Sequence, residues 1–273
     1  MINQLKPKKR SRVRLLIGKK YYTTKRYLWW CFSNLKFSKV TKGIEYMDYP
    51  YIYYKDTTPL LRQLKDVDMY LQYNKINNLK LAIQKLNYIV INPGETFSYW
   101  KLIGKPTKKK GYTYGMILFA GSFKPGIGGG LCQLSNLIYW LSIHSPLTIK
   151  ERYRHSFDVF PDSNRIRPFG SGATCVYNYR DLIIKNDTNI PFQFSFELTD
   201  AELIGYLNSS VSPTYTYKVY EKDHHIDMEH WGGYSRHNIL FRKVYDINDI
   251  EVADEYLTEN HALMMYNPYL PGN

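Results

Sequence analysis

Cysteine is scarce in this chain. There are three in 273 residues, Cys31, Cys132 and Cys175, an odd number and widely scattered. That excludes a disulfide framework, and no CxxC pair or metal-ligand spacing surrounds any of them. The pattern suits a reducing compartment, or a protein that uses one thiol, and it calls for neither a metal nor another cofactor. Acidic residues are missing altogether from residues 1–42, which hold 13 Lys and Arg, while the rest of the chain balances 24 basic against 24 acidic residues. The whole net charge of +13 therefore sits on an N-terminal arm. Such asymmetry points to an anionic contact, such as a membrane surface, an anionic wall polymer or nucleic acid. A solvated basic tail is the alternative. Long hydrophobic runs are lacking too. Residues 14–19 are too sparsely apolar for a secretory signal, and the aromatic run 27–32 is too short to span a bilayer. It suits an interface, with rings at headgroup depth and lysines outward. The expected location is cytoplasmic, or peripheral to the inner face of the membrane. No internal repeat is visible.

What is present is an ordinary globular composition, 44% apolar and 22% charged, with 27 tyrosines. The most distinctive stretch is Gly126-Ile127-Gly128-Gly129-Gly130-Leu131-Cys132-Gln133. Leu134, Leu137, Ile138 and Leu141 follow at the spacing of one helix face. This reads as a glycine loop feeding a helix, with Cys132 at the junction. A thiol there meets unpaired amides and the positive end of the helix dipole, conditions that lower a cysteine pKa. Gly128, Gly129 and Gly130 leave room for a substrate carbonyl to approach the backbone. Their N–H groups, with Gln133 beside them, are suited to hold an oxyanion. The competing reading is a tight turn before a small buried hydrophobe. The loop lacks the Lys-Ser/Thr ending of a phosphate-binding P-loop.

Along the chain, residues 1–45 read as a basic arm, helical in part, and 46–69 as a linker, irregular over 46–62. Residues 74–86 read as a helix capped by Asn74. Residues 88–91 and 96–100 read as strand, the latter resuming after the Asn92-Pro93-Gly94 turn, and 113–124 as strand with a hairpin turn near Gly121. After the glycine helix, a strand from 147 continues through 156, and 157–169 form a loop. Residues 175–179 alternate. Residues 182–184 and 192–196 read as antiparallel strands around the Asn186-Asp187 turn, and 201–273 as strand-like alternation, then a histidine-rich loop, then mixed structure. The expected fold is α+β, mainly antiparallel strands with a few helices, rather than βαβ. Residues 70–200 form the main domain, and 201–273 a C-terminal extension packed on it.

A nucleophilic cysteine needs a base in reach. His144 lies at the far end of the same helix, about 18 Å away, and His224, His225, His230 and His237 fall in a polar stretch that reads as a solvated loop. His155 stands out, with Ser156 and Asp158 beside it. Arg152 and Arg154 add charge suited to a carboxylate-bearing substrate. A plain surface-strand histidine remains the alternative.

Several motifs together resemble the VanW family: Gly128-Gly129-Gly130-Leu131-Cys132-Gln133-Leu134-Ser135, then Glu151-Arg152 with His155-Ser156, Ala173-Thr174 after Gly170, and Asp181-Leu182 with Lys185-Asn186. Pro93-Gly94-Glu95-Thr96-Phe97-Ser98, Gly104-Lys105-Pro106-Thr107 and Gly232-Gly233-Tyr234 extend it over most of the chain after about residue 68. The family takes its name from an accessory protein of vancomycin-resistance clusters. Some wall-associated members act as peptidoglycan L,D-transpeptidases with the cysteine of this motif as nucleophile. The resemblance implies that Cys132 attacks a stem-peptide carbonyl and forms a thioester that an acceptor amine resolves. His155 would relay the proton, Asp158 or Ser156 would orient it, and Arg152 would hold a substrate carboxylate. The expected partners are a peptidoglycan precursor or stem peptide, and an anionic membrane surface through residues 1–42. Nucleic acid ranks last because the neutral body carries no such motif. A non-enzymatic accessory or binding protein is the alternative function. Two departures stand out. Many members have an acid before the Ala-Thr pair where this chain has Gly172, and cross-linking happens outside the membrane while no export signal is visible here.

Overall fold

The computed structural model describes residues 10–40, 48–61, 68–119, 121–159 and 167–269. The expectations that touch residues 1–9, 41–47, 62–67, 120, 160–166 and 270–273 lie there outside the described residues. The described residues form four α-helices and mostly antiparallel strands, an α+β fold.

The basic segment forms α1 (Arg12–Phe32), capped by Ser11, whose hydroxyl accepts from the Arg14 amide at 3.3 Å. Trp30 is buried against the body, and the Arg26 guanidinium donates two hydrogen bonds to the Glu151 carboxylate, at 2.8 and 2.5 Å. The stretch expected as an irregular linker supplies β1 (Tyr51–Pro59), which pairs with β10 (Glu202–Ser209). Its aromatic and β-branched residues suit a pleated, half-buried edge, and its proline sits at the strand end, where no ladder bond is lost.

Helix α2 (Met69–Leu86) begins a turn and a half before the expected cap, with Asp68 in the cap position. Asn74 lies inside it and donates instead to the Tyr114 carbonyl at 2.8 Å. Strand β2 (Ile89–Ile91) and the turn at Gly94 follow, then β3 (Thr96–Ser98). The chain does not stay extended after β3, because Ser98 caps α3 (Tyr99–Ile103) and Gly104, at φ 71°, closes it. The hairpin of β4 (Tyr114–Phe119) and β5 (Ser122–Ile127) turns at Gly121, as its spacing implies.

After α4 (Cys132–Ile143), strand β6 (Thr148–Glu151) stops five residues short of the expected end, and β7 (Phe157–Asp158) follows. Residues 175–179 form no strand, only a turn closed by the Val176–Arg180 bridge. Strands β8 (Ile183–Lys185) and β9 (Phe192–Leu198) are not partners. The first lies between β3 and β6, and the second between β10 and β2. Buried Asn186 donates to the carbonyls of Ile91 and Ile190, both at 2.8 Å, so the segment expected as a hairpin turn is a crossover between sheets.

The histidine-rich stretch is largely strand too. His224, His225 and His237 belong to β11 (Thr216–Met228) and β12 (Tyr234–Tyr245), which join β13 (Glu251–Met264) and β7 in a fourth sheet, while His230 lies in the turn between β11 and β12, as expected. The ladder continues through the histidines because cross-strand pairing, rather than polarity, decides there.

The core lies between the β1-β10-β9-β2 sheet and the helices. Leu137 and Leu141 of α4 settle onto β10 at Gly205, where an added Cβ would stand 2.8 Å from Leu137 Cδ2. Each such fully buried leucine contributes about 2 kcal/mol of transfer free energy. This packing anchors the helix whose first residue is Cys132.

Candidate functional site

The glycine loop leads from β5 into α4 with Gly128 at φ 74° and Gly130 at φ 89°, values that favour glycine. The room left by the missing side chains is taken up by the protein. A Cβ on Gly129 would lie 2.1 Å from the Gly115 carbonyl carbon, one on Gly130 would meet Lys75, and one on Gly128 would meet Pro106. The loop amides are engaged as well. Gly128, Gly129, Gly130 and Gln133 donate to the carbonyls of Thr113, Gly126, Met116 and Gly130, each at 3.0 Å. Among the described residues, the amides of Leu131 and Cys132 donate to no backbone carbonyl. The Gln133 side chain ties α4 to β1, donating to Thr58 Oγ1 at 2.8 Å and to the Pro59 carbonyl at 3.0 Å.

Cys132 is half-buried at the first position of α4, and its Sγ donates to the Cys175 carbonyl at 3.7 Å. Burial pushes the thiol above its ordinary value of 9.0. This corrects the expectation of a lowered value, since desolvation of the thiolate outweighs the lowering influence of the Cys175 backbone. Cys175, remote in sequence, is therefore a neighbour in space. It belongs to a strap, residues 173–175, that crosses the first turn of α4. Ser135 Oγ donates to the Ala173 carbonyl and Asn136 Oδ1 accepts from the Ala173 amide, both at 2.7 Å. Asn136 also fills the space a side chain at Gly172 would need, since a Cβ there would stand 2.7 Å from its Oδ1.

The segment that leads to His155 runs beside this strap. The Thr174 amide donates to the Tyr153 carbonyl at 2.7 Å, which sets the segment carrying His155 beside the one that receives the Cys132 thiol. His155 is half-buried. Burial, then Arg180, then Arg154 lower its pKa to about 4, so it is neutral at pH 7. Among the described residues no hydrogen bond joins His155 to Cys132. Ser156 is exposed, and its carbonyl accepts from the Leu263 amide at 3.4 Å. Asp158 is buried and its Oδ2 accepts from Arg236 Nη1 at 3.1 Å and from the Tyr266 hydroxyl at 3.0 Å. The Arg152 guanidinium donates to the carbonyls of Gly172, at 2.8 Å, and Gly170, and to Asn260 Oδ1 at 2.8 Å, bracing the residues before the strap against β13. Arg154 lies over the Phe169 ring at 5.1 Å.

Sequence reasoning missed what lies beneath the strap. The fully buried Asp181 carboxylate accepts from Ser98 Oγ at 2.6 Å, the Trp100 amide at 3.0 Å and the Leu182 amide at 2.9 Å. Burial still raises its pKa to about 6. The Asp181 amide donates to Glu151 Oε1 at 3.1 Å, the carboxylate that also holds Arg26 of α1. Tyr99 reaches the loop above, its hydroxyl donating to the Leu131 carbonyl at 2.8 Å. Asp181 and Glu151 appear in the sequence motifs, but nothing in their spacing shows that they share one buried network.

Residues 74–207 match the family model described as "VanW like protein". The chain is 37% identical over 170 residues to the vancomycin B-type resistance protein VanW of Enterococcus faecalis (strain ATCC 700802 / V583), covering 62% of each chain. It is 30% identical over 118 residues to the uncharacterized protein YoaR of Bacillus subtilis (strain 168), 43% of this chain and 37% of that one. The chain thus spans less than two thirds of the length of either relative. No solved structure matches significantly.

Asp181 generates a pH test. Its folded value, about 6, lies above the ordinary 3.8, so its favourable contribution is complete below 3.8 and is lost as pH rises through about 6. An Asp181→Asn variant loses acceptor bonds at every pH but has no such titration. Its stability deficit against the parent, read from urea midpoints, should narrow by on the order of 3 kcal/mol between pH 4 and pH 7. A deficit that widens over that range contradicts the assignment.

Proposed function

This chain belongs to the VanW family through its domain at residues 74–207, and from that premise we propose that it serves vancomycin resistance as a cysteine acyl-transfer enzyme of L,D-transpeptidase type, acting on peptidoglycan stem peptides. The observation that carries the reading is the placement of Cys132. It heads α4 with its amide unpaired to any carbonyl of the described residues, and its thiol meets a strap that is hydrogen-bonded to Tyr153, two residues before the neutral imidazole of His155.

Magnitudes define the resting state. Moving the proton from a thiol held above 9.0 to an imidazole near 4 costs about 7 kcal/mol or more, so free protein holds neutral thiol and neutral imidazole. A substrate carboxylate beside Arg154 and Arg180 would offset two of the three influences that depress His155, raising its basicity as the substrate arrives. His155 then takes the Cys132 proton, and the sulfur attacks the donor carbonyl. The Cys132 amide supports the oxyanion. The terminal residue leaves as its amine, carrying the proton from the imidazolium, and a thioester remains. The acceptor amine attacks that thioester, a new amide forms, and its proton returns to the sulfur. Arg152, braced on protein carbonyls, shapes the strap rather than holding the carboxylate.

A second reading, an accessory module that binds a precursor without chemistry, is favoured by the S–H bond to Cys175, which is the geometry of a resting thiol.

We also assign α1 to an anionic bilayer surface. It exposes Leu16, Ile17, Leu28 and Phe32 among its cations, while Arg26 and Trp30 face the body. No helix of the described residues is long and apolar enough to cross a membrane.

Cys132→Ala should lower 3-3 cross-link formation from disaccharide-tetrapeptides by on the order of a thousandfold or more, read by mass spectrometry of the muropeptides. Undiminished cross-linking in that variant sinks the enzymatic reading, and a fully functional Cys132→Ser protein in a resistance assay supports the accessory one. For α1, vesicles rich in anionic lipid should sediment the protein at low salt and release it at high salt. Equal retention on neutral vesicles speaks against that surface.

A further inference from the structure

The histidines of the C-terminal sheet form a constellation that the chemistry at Cys132 does not use. His225 of β11 pairs across the ladder with His237 of β12, and His237 pairs with His261 of β13, so three imidazoles stand in one row across three strands. Residues two apart on a strand share a face. Asp223 and Asp227 therefore flank His225, Ser235 flanks His237 and Glu259 flanks His261 on that same face. The neighbouring positions Arg236, Asn238 and Asn260 are buried on the opposite face, where Asn238 donates to the Phe169 carbonyl at 2.7 Å. The histidine row thus looks outward.

The hydrogen bonds fix which nitrogen of each ring points inward to the group. His261 Nε2 lies 2.7 Å from Glu259 Oε1. In the tautomer that satisfies this contact, Nε2 of His261 carries the proton and its Nδ1 accepts from His237 Nδ1–H, the two Nδ1 atoms being in hydrogen-bond contact. His237 Nε2 is then a lone pair. His225 Nδ1 faces Asp223 Oδ2 at 3.3 Å, which leaves its Nε2 a lone pair also. Both lone pairs face one carboxylate oxygen, Asp227 Oδ2, which lies 3.6 Å from each. Three electron-rich atoms converge, all within 4.8 Å of one another. Such a group calls for a cation at its centre. A tetrahedral ion with bonds of about 2.1 Å sets its ligand atoms about 3.4 Å apart, close to the spacing seen.

We propose that His225 Nε2, His237 Nε2 and Asp227 Oδ2 bind a divalent first-row transition ion. Zinc best matches the two-nitrogen, one-oxygen donor set. Water fills the fourth position, or Ser235 Oγ does, which lies 2.8 Å from His237 Nε2. The His237–His261–Glu259 chain and the His225–Asp223 contact act as the outer shell that orients the ligating rings. The ion would clamp β11 to β12 beside their connecting turn, and the assignment stands independently of the role of Cys132.

The test uses the full-length chain without a histidine tag, stripped with a chelator, then titrated with zinc chloride by calorimetry and with cobalt chloride by visible absorption. One ion should bind per chain, cobalt should show the intense absorption of a tetrahedral site, and zinc should raise the melting temperature. His237→Ala and Asp227→Ala should each weaken zinc binding by about tenfold or more. His224→Ala, whose ladder partner Asn238 marks the other face, should bind as the parent does. The side chains of His237 and Asp227 are 22% and 57% exposed, and circular dichroism checks that both variants fold. Absence of saturable binding, or equal affinity in the parent, His237→Ala and Asp227→Ala, overturns the proposal.

Discussion

The strap of residues 173–175 across the first turn of α4 sets the conditions around Cys132. It offers the Cys175 carbonyl to the thiol and the Ala173 carbonyl to the Ser135 hydroxyl, donates the Ala173 amide to Asn136 Oδ1, and donates the Thr174 amide to the Tyr153 carbonyl, two residues before His155. A cysteine at a helix start is usually discussed in terms of the dipole alone. Here the dipole, typically below 1 kcal/mol, competes with removal of the sulfur from water, and desolvation wins. The His155 imidazole is likewise partly out of water and feels two cations, Arg180 and Arg154. Both groups rest neutral chiefly through burial, to which Arg180 and Arg154 add at His155, and any chemistry must begin with something that changes that environment.

A buried network adjoins the candidate site. Asp181 gathers Ser98, Trp100 and its own following amide, and Glu151 links this cluster to Arg26 of α1. A basic helix that faces outward with apolar side chains is thus coupled, through one carboxylate, to the floor of the candidate site. Arg152 does the corresponding work from above, joining the residues before the strap to Asn260 of β13. The C-terminal sheet is tied to the site by its buried face, while its other face carries the histidine row.

The legible parts of the sequence were those with local causes. The helix after the glycine loop, the hairpin at Gly121 and the strand before Asn92-Pro93-Gly94 each follow from spacing and turn chemistry over a dozen residues. The failures are non-local. Strands β8 and β9 have the pattern of a hairpin, yet Asn186 reaches Ile91 and diverts them into different sheets. The linker became β1 because a strand 150 residues later, β10, offered it an edge. At the site, the position of Cys132 was readable but its environment was not. The carbonyl that binds its thiol lies 43 residues on. The glycines read as room for a ligand are occupied by Gly115, Lys75 and Pro106, contacts that no spacing rule reveals. The polarity of the histidine-rich stretch suggests a loop, yet cross-strand pairing draws His224, His225 and His237 into strands.

The most direct measurement is the rate of Cys132 alkylation by iodoacetamide as a function of pH. It is made with exposed Cys31 replaced by serine and the modified residue located by mass spectrometry. Reaction should be slow at neutral pH and rise with an inflection above the ordinary thiol value of 9.0. A reactive thiolate in the free protein at pH 7, with an inflection at or below about 7, would contradict the account of a thiol held neutral by burial beneath the strap.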